Sequence, residues 1–281
     1  MSGLLTEIRT LTRRSGNHDG VALAATIDPV FTIGPKVHGG SLQMVAVGAA
    51  RAAFAELARA SVATGESGLM PVAIASDYLS APDPGVVDID VTVRKHGRTV
   101  AVLAVDIGQR GRTMVSSTVT LAYAGTGEPG HRAPTGVDDV PVAPPADGVS
   151  VDEAPMRDIV HFGPALDMVL DPLTFPVMRG QTGPARIVGW ARPKGAEPDL
   201  DFAVLVADAS PPVVMNLGMF GWAPTVQLTT YLRRHPAPGW LRFESSSVQV
   251  GPGMFEEDHL VVDSTGAVVA QSRQLALLPK Q

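Results

Sequence analysis

Residues 39–60 read GGSLQMVAVGAARAAFAELARA. The stretch has no proline, is rich in alanine, and spaces Leu42, Val45, Ala49, Ala53 and Leu57 at helical intervals, so it predicts one long helix. His38, Gly39 and Gly40 open it, and Gly65 lies beyond its end. Residues 42–60 are also the most apolar long window, yet Gln43, Arg51, Glu56 and Arg59 interrupt it. Such a helix packs inside a protein and not in lipid. Four alternating, β-branched runs follow: PVAIASDYL (71–79), VVDIDVTVRK (86–95), TVAVLAVDIG (99–108) and TMVSSTVTLAY (113–123). Turns rich in proline, glycine or charge separate them. One helix followed by an antiparallel meander predicts an α+β unit whose sheet wraps the helix.

The second half repeats this order. A shorter helix is predicted over 199–209, started by Glu197-Pro198-Asp199 and stopped by Pro211-Pro212. Strands are predicted at PTVQLTTYLRR (224–234), WLRFESSSVQV (240–250), MFEEDHLVVD (254–263) and AVVAQSRQLALL (267–278). Landmarks recur at matching places: Pro71 leads to Tyr78-Leu79 and a turn ending at Gly85, and Pro224 leads to Tyr231-Leu232 and a turn ending at Gly239. Gly97 and Gly251 lie equally far beyond those glycines. Spacings repeated in one order predict a structural duplication. The expected division is a first unit over 1–124, a Pro/Gly/Asp-rich surface linker over 125–152, and a second unit over 153–281. Opening strands of the second unit are expected at MRDIVHFGP (156–164) and ARIVGWARP (185–193), and 164–178 fits no element clearly.

Composition narrows the function. The 281 residues are 45% hydrophobic, with a net charge of −6 and no basic tract, which argues against a nucleic-acid binder. Cysteine is absent, so disulfides, thiolate metal sites and a Cys nucleophile are excluded. The first residues, MSGLLTEIRTLTRRSG, lack the apolar core and cleavage site of a signal peptide. A soluble, cytoplasmic protein without membrane contact is expected. In FEEDHLVVD the acidic and His residues are expected on opposite faces of a strand, so no metal site is predicted, and no phosphate loop, Ser elbow or zinc motif occurs.

VHGGSLQMVAVGAAR (37–51), LVADASPPV (205–213), PTVQLTTYLRRHPAPGWL (224–241) and GAVVAQSRQLALLP (266–279) together resemble the TesB-like acyl-CoA thioesterase II family. The resemblance runs from about Val30 to Pro279. It implies a double hotdog: two tandem α+β repeats, each a central helix wrapped by an antiparallel sheet, forming a pseudo-dimer. It also implies an acyl-CoA substrate, hydrolysed in fatty-acid and lipid metabolism, no cofactor, and assembly into homo-oligomers through exposed sheet edges as an option. Its single site per chain uses an Asp on the second helix, a Ser or Thr opening the next strand and a Gln on the last strand, which fall on Asp208, Thr225 and Gln274. The run QLTTYLRR departs from the family's aromatic and basic pattern, which bears on the acyl and CoA contacts.

The chemistry suits these residue types. Thioester hydrolysis needs an activated water and donors for the developing oxyanion. Asp208 can act as general base, while Thr225 and Gln274 can orient the water. Gly39 and Gly40 offer helix-start N–H groups as oxyanion donors, with His38 beside them and Trp222 near the acyl chain. Each has a plainer account. Asp208 can cap the turn into Ser210-Pro211, Thr225 and Gln274 can be ordinary strand residues, and the glycines can serve helix–sheet packing. Arg110 with Arg112, or Arg233 with Arg234, can meet CoA phosphates or be solvated surface charge, and Trp190, Trp222 and Trp240 read as core or interface anchors. A hotdog that binds acyl chains or acyl-CoA without turnover is the alternative function. An enoyl-CoA hydratase is a weaker one, since no Asp-x-x-x-x-His run opens either helix.

Overall fold

The computed structural model describes residues 3–17, 19–60, 68–125 and 127–280, and Gly65 lies outside them. In chain order the first half holds α1 (Gly3–Ile8), β1 (Thr12–Gly16), β2 (Gly20–Ile27), the short pair β3 (Thr32–Ile33) and β4 (Lys36–Val37), and α2 (Gly39–Ala60). β5 (Met70–Tyr78), β6 (Gly85–Lys95), β7 (Val100–Gln109) and β8 (Arg112–Ala122) complete it. The second half holds β9 (Val149–Ser150), β10 (Leu166–Leu170), β11 (Arg186–Pro193) and α3 (Leu200–Val206), followed by β12 (Thr225–Leu232) and β13 (Leu241–Ser246). β14 (Val250–Gly251), β15 (Met254–Val262) and β16 (Val268–Leu277) end the chain.

One 14-stranded antiparallel sheet runs β1-β2-β6-β7-β8-β5-β12-β16-β15-β13-β11-β10-β9, with β14 beside β15. Outward from the β5–β12 seam the halves match strand for strand: β8, β7, β6, β2, β1 on one side and β16, β15, β13, β11, β10 on the other. This is the predicted α+β double hotdog, with one difference. Neither half is a meander, because the strand after each helix pairs with the last strand of its half, β5 with β8 and β12 with β16. The strands before the helices, β2 and β11, take the place a meander would give to β5 and β12.

Helix α2 is buried on nearly every side: Leu42, Met44, Val45, Ala46, Val47, Ala49, Ala50 and Ala53 are each 1% exposed or less. Its alanines let α3 approach on one flank while the sheet covers another. The helices run antiparallel, so the start of α2 meets the end of α3, and Arg51 reaches Asp201 in the first turn of α3 at 2.5 Å. Gln43 is a large polar side chain in this core, and it is fully used. Its amide nitrogen donates to Ser76 Oγ and the Leu228 carbonyl, and its oxygen accepts from Thr230 Oγ1. A buried amide satisfied from both sides of the seam stitches the halves to one helix without an unpaired-group penalty.

Asp199 caps α3 by accepting from the Phe202 N–H at 2.9 Å. The helix ends at Val206, short of the predicted 209, because the Ala207 carbonyl leaves the helical ladder for Ser272 Oγ on β16, 2.5 Å away. The predicted strand over 156–164 is instead a 3₁₀ turn (Met156–Asp158) followed by a single bridge from Val160 to Ile33. Met156 and Phe162 anchor that segment inward, and Pro155 and Pro164 bound it too tightly for a ladder. Within 125–152 regular structure begins only at β9. The chain there is fastened to β11 and β13 by Trp190 Nε1 to the Pro141 carbonyl and Arg242 Nη1 to the Val140 carbonyl. Of the three tryptophans only Trp190 is a core anchor: Trp240 lies under the Arg192 guanidinium, and Trp222 is 47% exposed. No described helix is long and apolar enough to cross a membrane.

Candidate active site

The start of α2 and the turn after α3 face each other, and that meeting builds the corner around Asp208. Asp208 is 8% exposed. Its Oδ2 accepts from the Gly40 N–H at 2.6 Å, and its Oδ1 makes no hydrogen bond among the described residues. A carboxylate so enclosed needs such a donor, since burying an unpaired charge costs more than the roughly 2–7 kcal/mol of a neutral polar group. The glycines are sterically required here. A Cβ on Gly39 would lie 2.8 Å from Asp208 Oδ2, and one on Gly40 would lie 2.8 Å from Asp208 Cβ and 2.9 Å from the Leu205 carbonyl oxygen. The Gly39 N–H has no partner among the described residues.

His38 is a bonded member of this corner. Nδ1 accepts from the Ser41 N–H at 3.2 Å, and Nε2 donates to the Asp208 carbonyl at 2.7 Å and lies 3.3 Å from its Oδ2. Its ring meets Phe162 edge-on at 4.8 Å. With both nitrogens engaged, His38 holds Asp208 and has no free lone pair for proton abstraction. Tyr78, at the end of β5, closes the corner from the first half by donating its hydroxyl to the Gly39 carbonyl at 2.9 Å. Burial of the hydroxyl, and then the Asp208 charge, push its pKa well above the ordinary 10, so it remains a donor.

Thr225 and Gln274 meet on neighbouring strands. Thr225 Oγ1 donates to Gln274 Oε1 at 2.7 Å, and Gln274 Nε2 makes no hydrogen bond among the described residues. Gln274 is 7% exposed, on the inward face of β16. Two residues away on that face, Ser272 holds the Ala207 carbonyl, so the Thr225–Gln274 pair and the Asp208 turn belong to one inner surface.

Of the residues singled out in the sequence, Asp208, His38, Gly39 and Gly40 therefore form one bonded cluster, and Thr225 with Gln274 joins it through Ser272. Trp222 stands apart on the surface. Sequence reasoning missed Tyr78 as a site member, although it marked the end of a strand in the repeat. Along FEEDHLVVD the expected alternation holds: Glu256 and Asp258 point outward, and Glu257 shares the inward face with His259, both fully buried. Strict alternation puts every second residue on one face, so the pair two apart was legible. No group of three or more His, Cys, Asp or Glu side chains suited to a metal occurs among the described residues.

A surface hollow of 710 Å³ is lined in part by Thr32, Gly34, Pro84, Arg157 and His161, and by none of Asp208, Gly39, Gly40, Thr225 or Gln274. Thr32 Oγ1 lies 2.6 Å from His161 Nδ1, and Phe162, next in the chain, meets His38. Lys36 and Arg110 both pair with Asp83, at 2.6 and 3.2 Å.

Two family models match the chain: the acyl-CoA thioesterase N-terminal domain over residues 26–122 and the acyl-CoA thioesterase C-terminal domain over 137–278. An uncharacterized protein of Mycobacterium tuberculosis is 38% identical over 98% of this chain and 97% of its own length, and one from Mycobacterium bovis matches equally. Among solved structures, a candidate thioesterase II from Thermobifida fusca superposes with a TM-score of 0.81 at 29% identity, over 98% of this chain and 97% of that one. The acyl-CoA thioesterase II TesB2 of Mycobacterium marinum shares the fold, with a TM-score of 0.66 at 15% identity over 99% of this chain and 97% of its own.

Proposed function

The chain belongs to the acyl-CoA thioesterase family, and from that premise we propose that it hydrolyses an acyl-CoA thioester to the free acid and CoA through a water held by Asp208, Thr225 and Gln274. The observation that carries the reading is the enclosed Asp208 carboxylate, anchored on one oxygen by Gly40 and without a hydrogen bond on the other, with the Gln274 amide pinned by Thr225 on the strand face whose Ser272 holds the Asp208 turn.

In this mechanism Asp208 Oδ1 takes a proton from water as the water oxygen attacks the thioester carbonyl carbon. Gln274 Nε2 orients the attacking water, and the Gly39 N–H receives the carbonyl oxygen as it becomes anionic. Gly40 is committed to the base, so of the two glycines only Gly39 is left as an oxyanion donor. Collapse of the intermediate breaks the C–S bond, and the proton held by Asp208 passes to the departing sulfur. The family supports an aliphatic acyl group as the substrate's reacting part, and with it a role in fatty-acid metabolism in the cytoplasm. Arg157, in the lining of the surface hollow, supplies charge suited to the phosphates of CoA, and the hollow's 710 Å³ is within the usual range for ligand sites.

The test is thiol release from a panel of acyl-CoAs, short to long. Because the chain has no cysteine, every thiol detected is CoA. Release with a preference for aliphatic chains is expected. No release from any member, with acyl-CoA still bound, would sink hydrolysis in favour of a binding protein. On the preferred substrate, Thr225→Val is expected to lower kcat roughly tenfold or more by freeing Gln274, while costing only about 0.5–1.5 kcal/mol of stability. A kcat within twofold of wild type would remove Thr225 from the mechanism.

A further inference from the structure

Glu257 and His259 lie side by side on the inward face of β15, their side chains 0% exposed, with Nε2 of the imidazole 3.1 Å from Oε1 of the carboxylate. The register with β16 sets Glu257 opposite Gln274 and His259 opposite Ser272. Those are the residues through which β16 reaches the site. The other Glu257 oxygen accepts from the Val213 N–H at 3.0 Å. The segment carrying Asp208 is thus pinned twice, by Ser272 at Ala207 and by Glu257 at Val213.

A charged pair is an expensive way to fasten a turn inside a core, where apolar side chains of similar size often serve as well. This one is also poorly satisfied. The ionic contact is not aligned as a hydrogen bond, and Glu257 Oε1 and both ring nitrogens of His259 lack hydrogen-bond partners. Ser245 Oγ, opposite His259 on β13, lacks one too. Buried groups kept in this state concentrate where function needs them.

The charges facing His259 come from few elements. On its own strand are Glu257 and, on the other face, Asp258, which is engaged by Arg273 at 2.6 Å. From the turn after α3 comes Asp208, backed by His38 and Tyr78. β16 presents Ser272 and Gln274, β13 presents Ser245, and α3 presents only apolar residues from Phe202 to Val206. Burial lowers the imidazole pKa, but Glu257, then Asp208 and Asp258, more than offset this and raise it above 6.5.

We propose that Glu257 and His259 are positioning residues for Asp208: Glu257 fixes the turn behind the base, and the His259 cation balances the carboxylates gathered there. The proposal rests on the reading of Asp208 as base. A protonated His259 leaves one carboxylate charge uncompensated in this patch. When it loses its proton, two buried carboxylates repel, and the Asp208 turn loses its setting. A raised folded-state pKa means that the arrangement is present at lower pH and lost as pH rises through that value.

The experiment is the pH profile of kcat/KM for thiol release by wild type, His259→Asn, Glu257→Gln and Asp208→Asn, with the melting temperature of each. Wild type is expected to show an alkaline limb above pH 6.5. His259→Asn is expected to lower kcat roughly tenfold, with little change in KM, and to abolish that limb. Glu257→Gln, which removes a charge and keeps the shape, is expected to move the limb to lower pH. A limb unchanged in both variants, with only the melting temperature lowered, would reduce the pair to a structural role and overturn the proposal. So would a wild type without the limb, which decides the matter even where His259→Asn does not fold. Asp208→Asn retaining full activity would remove the base reading itself. NMR titration of labelled histidines reads the coupling without turnover: the His259 pKa falls in Asp208→Asn and in Glu257→Gln, and a value unmoved by the first overturns the proposal.

Discussion

Asp208→Asn is expected to lower kcat for acyl-CoA hydrolysis by roughly 10²–10⁴-fold, the contribution of a positioned general base, with little change in KM. The asparagine keeps the volume and an oxygen that can accept from the Gly40 N–H, so the contact between α2 and the turn after α3 survives. What it loses is the second oxygen as a proton acceptor, because an amide nitrogen has no lone pair to offer water. The melting temperature should therefore stay within a few degrees of wild type, as for a loss of about 1 kcal/mol in a chain of this size. Thiol-release kinetics and a thermal melt on the same preparation check both parts. An asparagine variant with wild-type kcat would return Asp208 to its plainer role as a turn cap, and the capping contacts with Gly40 and His38 would then be its whole function.

The fold was legible because its signals are local. The α2 stretch announces itself through alanine and the absence of proline, and β11, β12, β13, β15 and β16 lie within a few residues of the predicted bounds, whereas β10 falls in the stretch that fitted no element. The pairing was less legible. Nothing in the run from Met70 to Tyr78 says that its partner is β8 and not the next strand in the chain. That choice is made by the helix, which must be covered on the side where β5 and β12 meet, and such closure is a property of the whole sheet.

The site divides in the same way. Asp208, Thr225 and Gln274 were found by resemblance, since each alone is an unremarkable turn or strand residue. Tyr78 was hidden because it crosses from the first repeat, and His38, singled out beside the glycines, showed nothing of its role as the holder of Asp208, a residue 170 positions away. The alternation read over residues 256–259 holds, but it served only to set aside a metal site, and nothing local to the strand says that the face carrying Glu257 and His259 is the buried one.

Three glycines on α2 test how tightly the corner is built, and alanine at each should give a different result. At Gly48 a Cβ meets nothing within 4 Å, so Gly48→Ala should stabilise the protein by about 0.5–1 kcal/mol through helix propensity alone. At Gly40 the new Cβ would meet the Leu205 carbonyl at 2.9 Å and Asp208 Cβ at 2.8 Å. Backbone cannot swing aside as a side chain can, so α3 must move. Overpacking of this kind costs about 1–3 kcal/mol, which exceeds the propensity gain and lowers the melting temperature by several degrees. Because the Asp208 carboxylate hangs from the Gly40 N–H, kcat should fall as well, roughly tenfold or more. Gly39→Ala separates the two effects. Its Cβ would meet only side-chain atoms, Asp208 Oδ2 at 2.8 Å and the Tyr78 hydroxyl at 3.1 Å, which can yield at small cost in stability but leave the carboxylate misplaced. Melting and kcat measured across the three variants decide between a packing corner and a reacting one. If Gly39→Ala melts like wild type and keeps full kcat, the glycines serve only the approach of the two helices, whereas a folded and slow Gly39→Ala places the carboxylate at the reacting atoms.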